Sequence, residues 1–243
     1  MTALGVAGAA GVAPADLRGL LFDKDGTLFG FQATWGGWGA DLVADLAAGD
    51  AELERALADK LGIDRAARAF RPDSIVVAAT LRQSMAEILP LLPDWEPAAL
   101  HRHLIATSER VSPVEATPLA PLLARLGAAE LALGVATNDV ESSARAQLAR
   151  LSLGDAFGFV AGADSGHGAK PGPGQCLAFA AAMGLSPGEV AMIGDSTHDL
   201  HAGRAAGMVC IGVLTGTASR QDLAPHADAV LPDIGHLPEW LGL

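Results

Sequence analysis

Apolar positions along the chain fall into two regimes. Up to residue 30, and again from about Gly127 onward, short apolar runs alternate with segments of helical spacing, the pattern of a parallel sheet covered on both faces. Leu20-Leu21-Phe22 predicts a first strand, Leu131 to Thr137 a second, Phe157 to Ala163 a third and Val190 to Ile193 a fourth. Val209 to Leu214 and Ala229 to Leu231 add two more. Helices are expected after Thr137 through about Leu151 and over Gly174 to Met183. The predicted fold is therefore α/β, a doubly wound parallel sheet.

Between the first and second strands the rhythm changes. Leu42, Leu46, Leu53 and Leu57, then residues 76 to 92 and 100 to 111, follow helical spacing without clear strands. The expectation is an inserted all-helical cap over residues 31–115, lying over the sheet's carboxyl edge, with the core formed by residues 17–30 and 116–243 and a flexible tail at 1–16. The cap begins within FGFQATWGGWG, whose glycines are expected to hinge and whose Trp35 and Trp38 are expected to pack or stack.

Charge and composition narrow the partners. The chain has 28 acidic against 16 basic residues, a net charge of −12, and no basic run, which argues against nucleic acid or an anionic membrane surface. Mean hydropathy is +0.32, yet no apolar run approaches the ~18 residues of a membrane span. The first basic residue is Arg18, so the basic n-region of a secretory signal is lacking. Cys176 and Cys210 lie in apolar segments without metal-ligand spacing and are expected as buried reduced thiols. A cytoplasmic protein, monomer or homodimer, is the expectation.

The chemistry concentrates where the first strand ends, in Asp23-Lys24-Asp25-Gly26-Thr27-Leu28. Residues two apart on a strand share a face, so Asp23 and Asp25 can point into one crevice while Lys24 points away. Two close carboxylates repel unless a cation or proton intervenes, and Mg²⁺ is a hard ion that takes oxygen ligands. Alone, the segment reads either as an acidic turn after a strand or as the edge of a site. Other strand ends bring complementary groups to the same edge: Thr137 and Asn138 after the second, Lys170 after the third, Asp195 and Asp199 after the fourth. Asp23, the backbone near Asp25 and Asp195 can hold Mg²⁺, and Lys170 and the Thr137 hydroxyl can hold phosphate oxygens.

Asp23-x-Asp25-Gly-Thr-Leu, Thr137-Asn138, Lys170-Pro171-x-Pro173 and Gly194-Asp195-x-x-x-Asp199, in this order, resemble the four motifs of the haloacid dehalogenase superfamily. The resemblance covers residues 17 to 30 and 116 to 243 and is most similar to its phosphoglycolate phosphatase-like branch. It implies Asp23 as the nucleophile that forms an aspartyl-phosphate, and Asp25 as general acid and base. It also implies phosphate contacts from Thr137 and Asn138, charge stabilisation by Lys170, Mg²⁺ ligation by Asp195, and support from Thr27 and Asp199. An acidic Asp25 favours an oxygen leaving group, hence a small phosphorylated metabolite as substrate. A sugar-phosphate phosphomutase is the alternative enzyme, and a non-catalytic binding module the alternative class.

Other polar residues have plainer readings. Arg68, Arg71, Arg82 and Trp35 are candidate substrate contacts in the cap, although solvation explains arginines as well. His198 and His201 lack a third ligand for a metal, and His101 and His103 face different ways on a helix. Asp164 sits in a glycine-rich stretch expected to give flexibility before Lys170, within reach of the metal's outer shell.

Overall fold

The computed structural model describes residues 13–71, 73–77 and 79–243, so most of the expected N-terminal tail lies outside the described residues. Residues Pro14–Asp16 form one 3₁₀ turn. It leads into β1 (Gly19–Phe22), all four of whose residues are buried. The insert follows, with α1 (Phe31–Ala47), α2 (Ala51–Leu61), β2 (Ile63–Asp64), β3 (Ala69–Phe70), α3 (Leu81–Ile88) and α4 (Pro97–Ser108). The chain then alternates: α5 (Leu119–Ala128), β4 (Ala132–Ala136), α6 (Glu141–Arg150), β5 (Phe159–Ala161), α7 (Gly174–Met183), β6 (Val190–Gly194), α8 (Thr197–Ala206), β7 (Val209–Val213) and β8 (Ala229–Leu231).

Six strands form one parallel sheet in the order β5-β4-β1-β6-β7-β8. Gly19 is level with Ala132 on one side and Val190 on the other, so β1 is central. Successive strands run outward from β1 to β5 and then restart beyond β1 at β6, which leaves a crevice at the carboxyl end of β1. Alternation along β1 splits the core: Leu20 and Phe22 pack with Leu123, Val135 and Ile193 on one face, Leu21 with Phe179 and Met192 on the other. Burial of these runs on both faces is why the strands read as continuous apolar stretches.

The insert builds a separate apolar cluster from Phe31, Leu42, Val43, Leu57, Ile88 and Leu100. Helix α2 starts on Asp50, whose carboxylate accepts from the Glu52 and Leu53 amides, and stops at left-handed Gly62. Two departures from expectation occur here. The insert is not wholly helical: Ile63 pairs with Phe70 and Asp64 with Ala69 in a small antiparallel hairpin. Two-residue strands are too short to show an alternating pattern. The glycines at 36, 37 and 39, expected at a hinge, lie inside α1 rather than in a loop. A Cβ on Gly36 would stand 2.4 Å from the Arg68 carbonyl oxygen, so glycine there admits the hairpin against the helix.

The two crossings between insert and sheet run side by side. The Gly30 amide donates to the Val114 carbonyl at 2.9 Å, and the Ala116 amide to the Leu28 carbonyl at 2.9 Å. The Thr34 hydroxyl accepts from the Val114 amide at 3.0 Å, tying α1 to the return crossing. Gly36→Ala is expected to destabilise the protein by about 1–3 kcal/mol through forced separation of α1 and the hairpin, measured by urea denaturation.

Candidate active site

At the carboxyl edge of the sheet the backbone turns abruptly after β1. Gly26 has φ of +90°, and its amide donates to the Phe29 carbonyl at 2.7 Å. A Cβ at Gly26 would lie 2.4 Å from the Asp195 carboxylate, so the turn can pass against that group only as glycine. Thr215 fixes the turn further by donating its hydroxyl to the Gly26 carbonyl at 2.5 Å.

The central contact is Lys170. Its ammonium donates to Asp23 Oδ1 at 2.5 Å and to the Ala136 carbonyl at 2.8 Å, and pairs with Asp199 Oδ1 at 2.6 Å. Its backbone is held by Asn138, whose carbonyl oxygen accepts from the Lys170 amide at 2.9 Å and whose amide donates to the Lys170 carbonyl at 3.0 Å. Asp199 anchors the other side: Oδ2 accepts from the Ser196 amide at 3.0 Å and hydroxyl at 2.6 Å, closing the first turn of α8. Thr27 donates to Asp195 Oδ1 at 3.4 Å. The Thr137 oxygen accepts from the Asp139 amide at 3.1 Å, leaving its O–H to be donated elsewhere.

Asp23, Asp195 and Asp199 each offer a carboxylate oxygen within 4.8 Å of the others, and all three are buried. Removal from water pushes Asp23 up to about 7; Asp199 and Asp25 add repulsion, and Lys170 opposes the rise. Asp195 is also raised well above the ordinary carboxylate range, by burial first and then by Asp23 and Asp199. Lys170 itself is raised, because its two carboxylate partners outweigh its burial. The balance is three buried carboxylates against one ammonium. That deficit of positive charge, with an all-oxygen donor set, fits a divalent cation such as Mg²⁺.

Lys24 stays out of the crevice, as strand alternation leads one to expect, but its ammonium curls back to Asp25 Oδ2 at 2.7 Å, with Asp139 Oδ2 at 3.1 Å and Gln147 Oε1 at 2.7 Å. The reason is that β1 ends at Phe22, so period-two geometry does not extend to residues 23–25. Lys24 is fully buried, and the two carboxylates raise it against desolvation. The other oxygen of Asp25 accepts from Trp35 Nε1 at 2.6 Å, and the Lys24 ammonium lies 5.0 Å from the Trp35 ring centroid. A residue of the insert thus touches the second aspartate of the motif directly.

Asp23, Asp25, Thr137, Asn138, Lys170 and Asp195 all line one cavity of about 110 Å³, roofed by the insert. Of the expected contacts from the insert, Trp35 lines it and the arginines do not. Arg68 pairs with Asp41 at 2.8 Å and the Gly37 carbonyl, Arg71 with Asp59 at 3.3 Å, and Arg82 is exposed. Asp164 stays out of the acidic cluster, because its carboxylate accepts from the Glu141 amide at 2.8 Å at the start of α6. His198 lines the cavity, whereas His201 turns to His226 at 3.2 Å, so the two histidines share no ligand.

A family model for haloacid dehalogenase-like hydrolases matches residues 17–207. The chain belongs to the haloacid dehalogenase-like hydrolases. Phosphoglycolate phosphatase of Escherichia coli O157:H7 is 30% identical over 260 residues, covering 94% of each chain. The enzyme of the same name from Rhodospirillum rubrum is 35% identical over 121 residues, half of each chain. In three dimensions, a hydrolase of this family from Deinococcus radiodurans, determined with bound phosphate and sodium, superposes with a TM-score of 0.65 at 22% identity, covering 94% of this chain and 96% of that one. Among the described residues no helix is long and apolar enough to cross a membrane.

Sequence reasoning did not anticipate the partnership of Lys24, Asp139 and Gln147, or the bond from Trp35. The signal for the first was a charged residue between two aspartates. Lys24→Met is expected to lower stability by about 1–3 kcal/mol, since it leaves two half-buried carboxylates without their cation, measured by urea denaturation. A second expectation follows from the raised carboxylates. Below the ordinary carboxylate value both folded and unfolded chains hold the Asp23 proton; above it the unfolded chain ionises first. Stability of metal-free protein should therefore fall as pH rises from about 4 to 7. In thermal melts, Asp195→Asn should flatten that fall, and Mg²⁺ should raise the Tm of the unsubstituted chain at pH 7.5 more than at pH 5, with little shift in Asp195→Asn.

Proposed function

We propose that this hydrolase is a Mg²⁺-dependent phosphatase that cleaves a small phosphate monoester through an aspartyl-phosphate on Asp23. The observation that carries the reading is the single ammonium of Lys170 held between Asp23 and Asp199, beside Asp195, on the cavity that Asp25 also lines. The names and near full-length coverage of the phosphoglycolate phosphatases support the reaction class.

In this reading Asp23 and Asp195, with the backbone carbonyl of Asp25, would hold a metal ion, which when bound would supply positive charge against the phosphoryl oxygens. Lys170 supplies the rest of that charge and keeps Asp23 oriented. Asn138 and Asp199 fix Lys170 from two sides, and Thr137 donates its hydroxyl to a phosphoryl oxygen. The Asp23 carboxylate attacks phosphorus as the bond to the ester oxygen breaks, and Asp25 gives that oxygen its proton. Asp25 then takes a proton from water as the water attacks the aspartyl-phosphate, which returns Asp23 and releases inorganic phosphate. Thr27 steadies Asp195. Residues 31–115 serve as the cap that excludes bulk water, with Trp35 linking its position to Asp25. The site of action in this reading is the cytoplasm, where buried thiols such as Cys176, pushed up to about 12 by burial, stay reduced.

The test is phosphate release from a generic aryl phosphate with and without Mg²⁺. Chelation should abolish turnover and added Mg²⁺ restore it. Asp23→Asn should be inactive, and Asp25→Asn slower by about 10²–10⁴-fold. No release from any member of a broad ester panel would overturn the reading and leave a binding module.

A further inference from the structure

Resting on the phosphatase reading, we propose that the group esterified to phosphate is uncharged and apolar, of the size of a short branched chain. The evidence is the asymmetry of the cavity. Its floor, on the sheet, carries the ionic groups described above. Its roof, from the insert, is formed by Trp35, Trp38, Phe70, Val77, Leu81 and Met85, with further aliphatic side chains behind them. Among the described residues of the insert, no lysine, arginine, histidine, aspartate or glutamate lines it.

The polar groups that the roof does offer are few. The Ser108 hydroxyl is spent on the Ile105 carbonyl at 2.9 Å and the Trp35 indole N–H on Asp25. The Ser84 hydroxyl and the Trp38 indole are what remain. A substrate with a second anionic group, such as a phosphorylated carboxylic acid, would have to bury that charge against aromatic and aliphatic carbon without a partner, which is strongly unfavourable. A polyhydroxylated sugar would leave most of its hydroxyls unpaired. The Trp35 and Trp38 rings, 5.1 Å apart and edge to face, instead present apolar area close to Asp25, where the leaving group must sit. The cavity of about 110 Å³ must hold the phosphate as well, so the space left for the esterified group is well below the ~150 Å³ apolar cavity that takes up benzene and suits a short branched chain.

On the floor, Lys170 is the lysine that lines the cavity, and it is already shared between Asp23 and Asp199. His198, half-buried in the first turn of α8, is the remaining group there able to carry positive charge, and so the competing receptor for a substrate carboxylate. The experiment addresses it directly.

Phosphate release by the full chain with Mg²⁺ is compared for ethyl, butyl and isopentyl phosphate, whose leaving groups have similar reactivity, and for phosphoglycolate and glucose 6-phosphate. Expected is a rise in kcat/KM of roughly three- to fourfold per added methylene, until the cavity is filled. Isopentyl phosphate should exceed phosphoglycolate and glucose 6-phosphate by at least about tenfold. Met85→Lys, which places a cation in the roof, should narrow or reverse that preference. A flat alkyl series overturns the proposal, as does phosphoglycolate turned over as well as isopentyl phosphate and lost in His198→Gln. Calorimetric binding of isopentylphosphonate and phosphonoacetate to the unsubstituted chain needs neither turnover nor a folded variant. Tighter binding of the alkyl phosphonate supports the assignment even if no ester is cleaved, in which case only the hydrolytic reading fails. Equal or weaker binding overturns it.

Discussion

Everything at the sheet edge is arranged around one buried ammonium. Lys170 can stay charged in a nearly water-free position only because Asp23 and Asp199 face it and the Ala136 carbonyl takes a third N–H. Each partner is in turn held by something else. Asp199 closes the first turn of α8, Asn138 clamps the lysine backbone, and Asp23 follows the central strand. The position of β1 between β4 and β6 makes this convergence possible, because three segments that are far apart in sequence then reach the same crevice. The same crowding leaves carboxylates in excess, so the charge balance is incomplete until a cation arrives.

Much of this was legible before any coordinates. The strand runs at Leu20-Leu21-Phe22, Val190 onward and Val209 onward are buried on both faces, and such strands leave an uninterrupted apolar signature. Helix α7 coincides with the expected Gly174 to Met183, because glycine-rich segments punctuate both ends. Asp23, Lys170 and Asp199 were brought together by the rule that parallel strands share a carboxyl edge.

What was not legible depends on side-chain reach. Lys24 has a stem long enough to bring its charge back to the adjacent Asp25, and alternation says nothing once the strand has stopped. Arginines in the insert were candidate ligands by charge alone. Arg68 and Arg71, at the hairpin, instead find carboxylates on the neighbouring helices, Asp41 of α1 and Asp59 of α2, which a one-dimensional reading cannot pair. The hairpin at residues 63–70 is too short for periodicity, and the glycines of α1 are explained only by what packs on them.

These two misreadings have a common consequence for the chemistry. With the arginines turned outward and Lys24 turned beneath Asp25, positive charge is confined to the floor of the cavity, and the roof is carbon. A phosphate ester bound as proposed would therefore meet environments of opposite character within one small volume. The bond from the Trp35 indole to Asp25 joins those environments, since a ring of the roof also holds the carboxylate that the proposed mechanism uses as the acid. Any displacement of the insert that carries Trp35 away removes the apolar wall and one hydrogen bond to Asp25 in the same movement. In the proposed mechanism, substrate fit and the orientation of Asp25 therefore depend on a single contact.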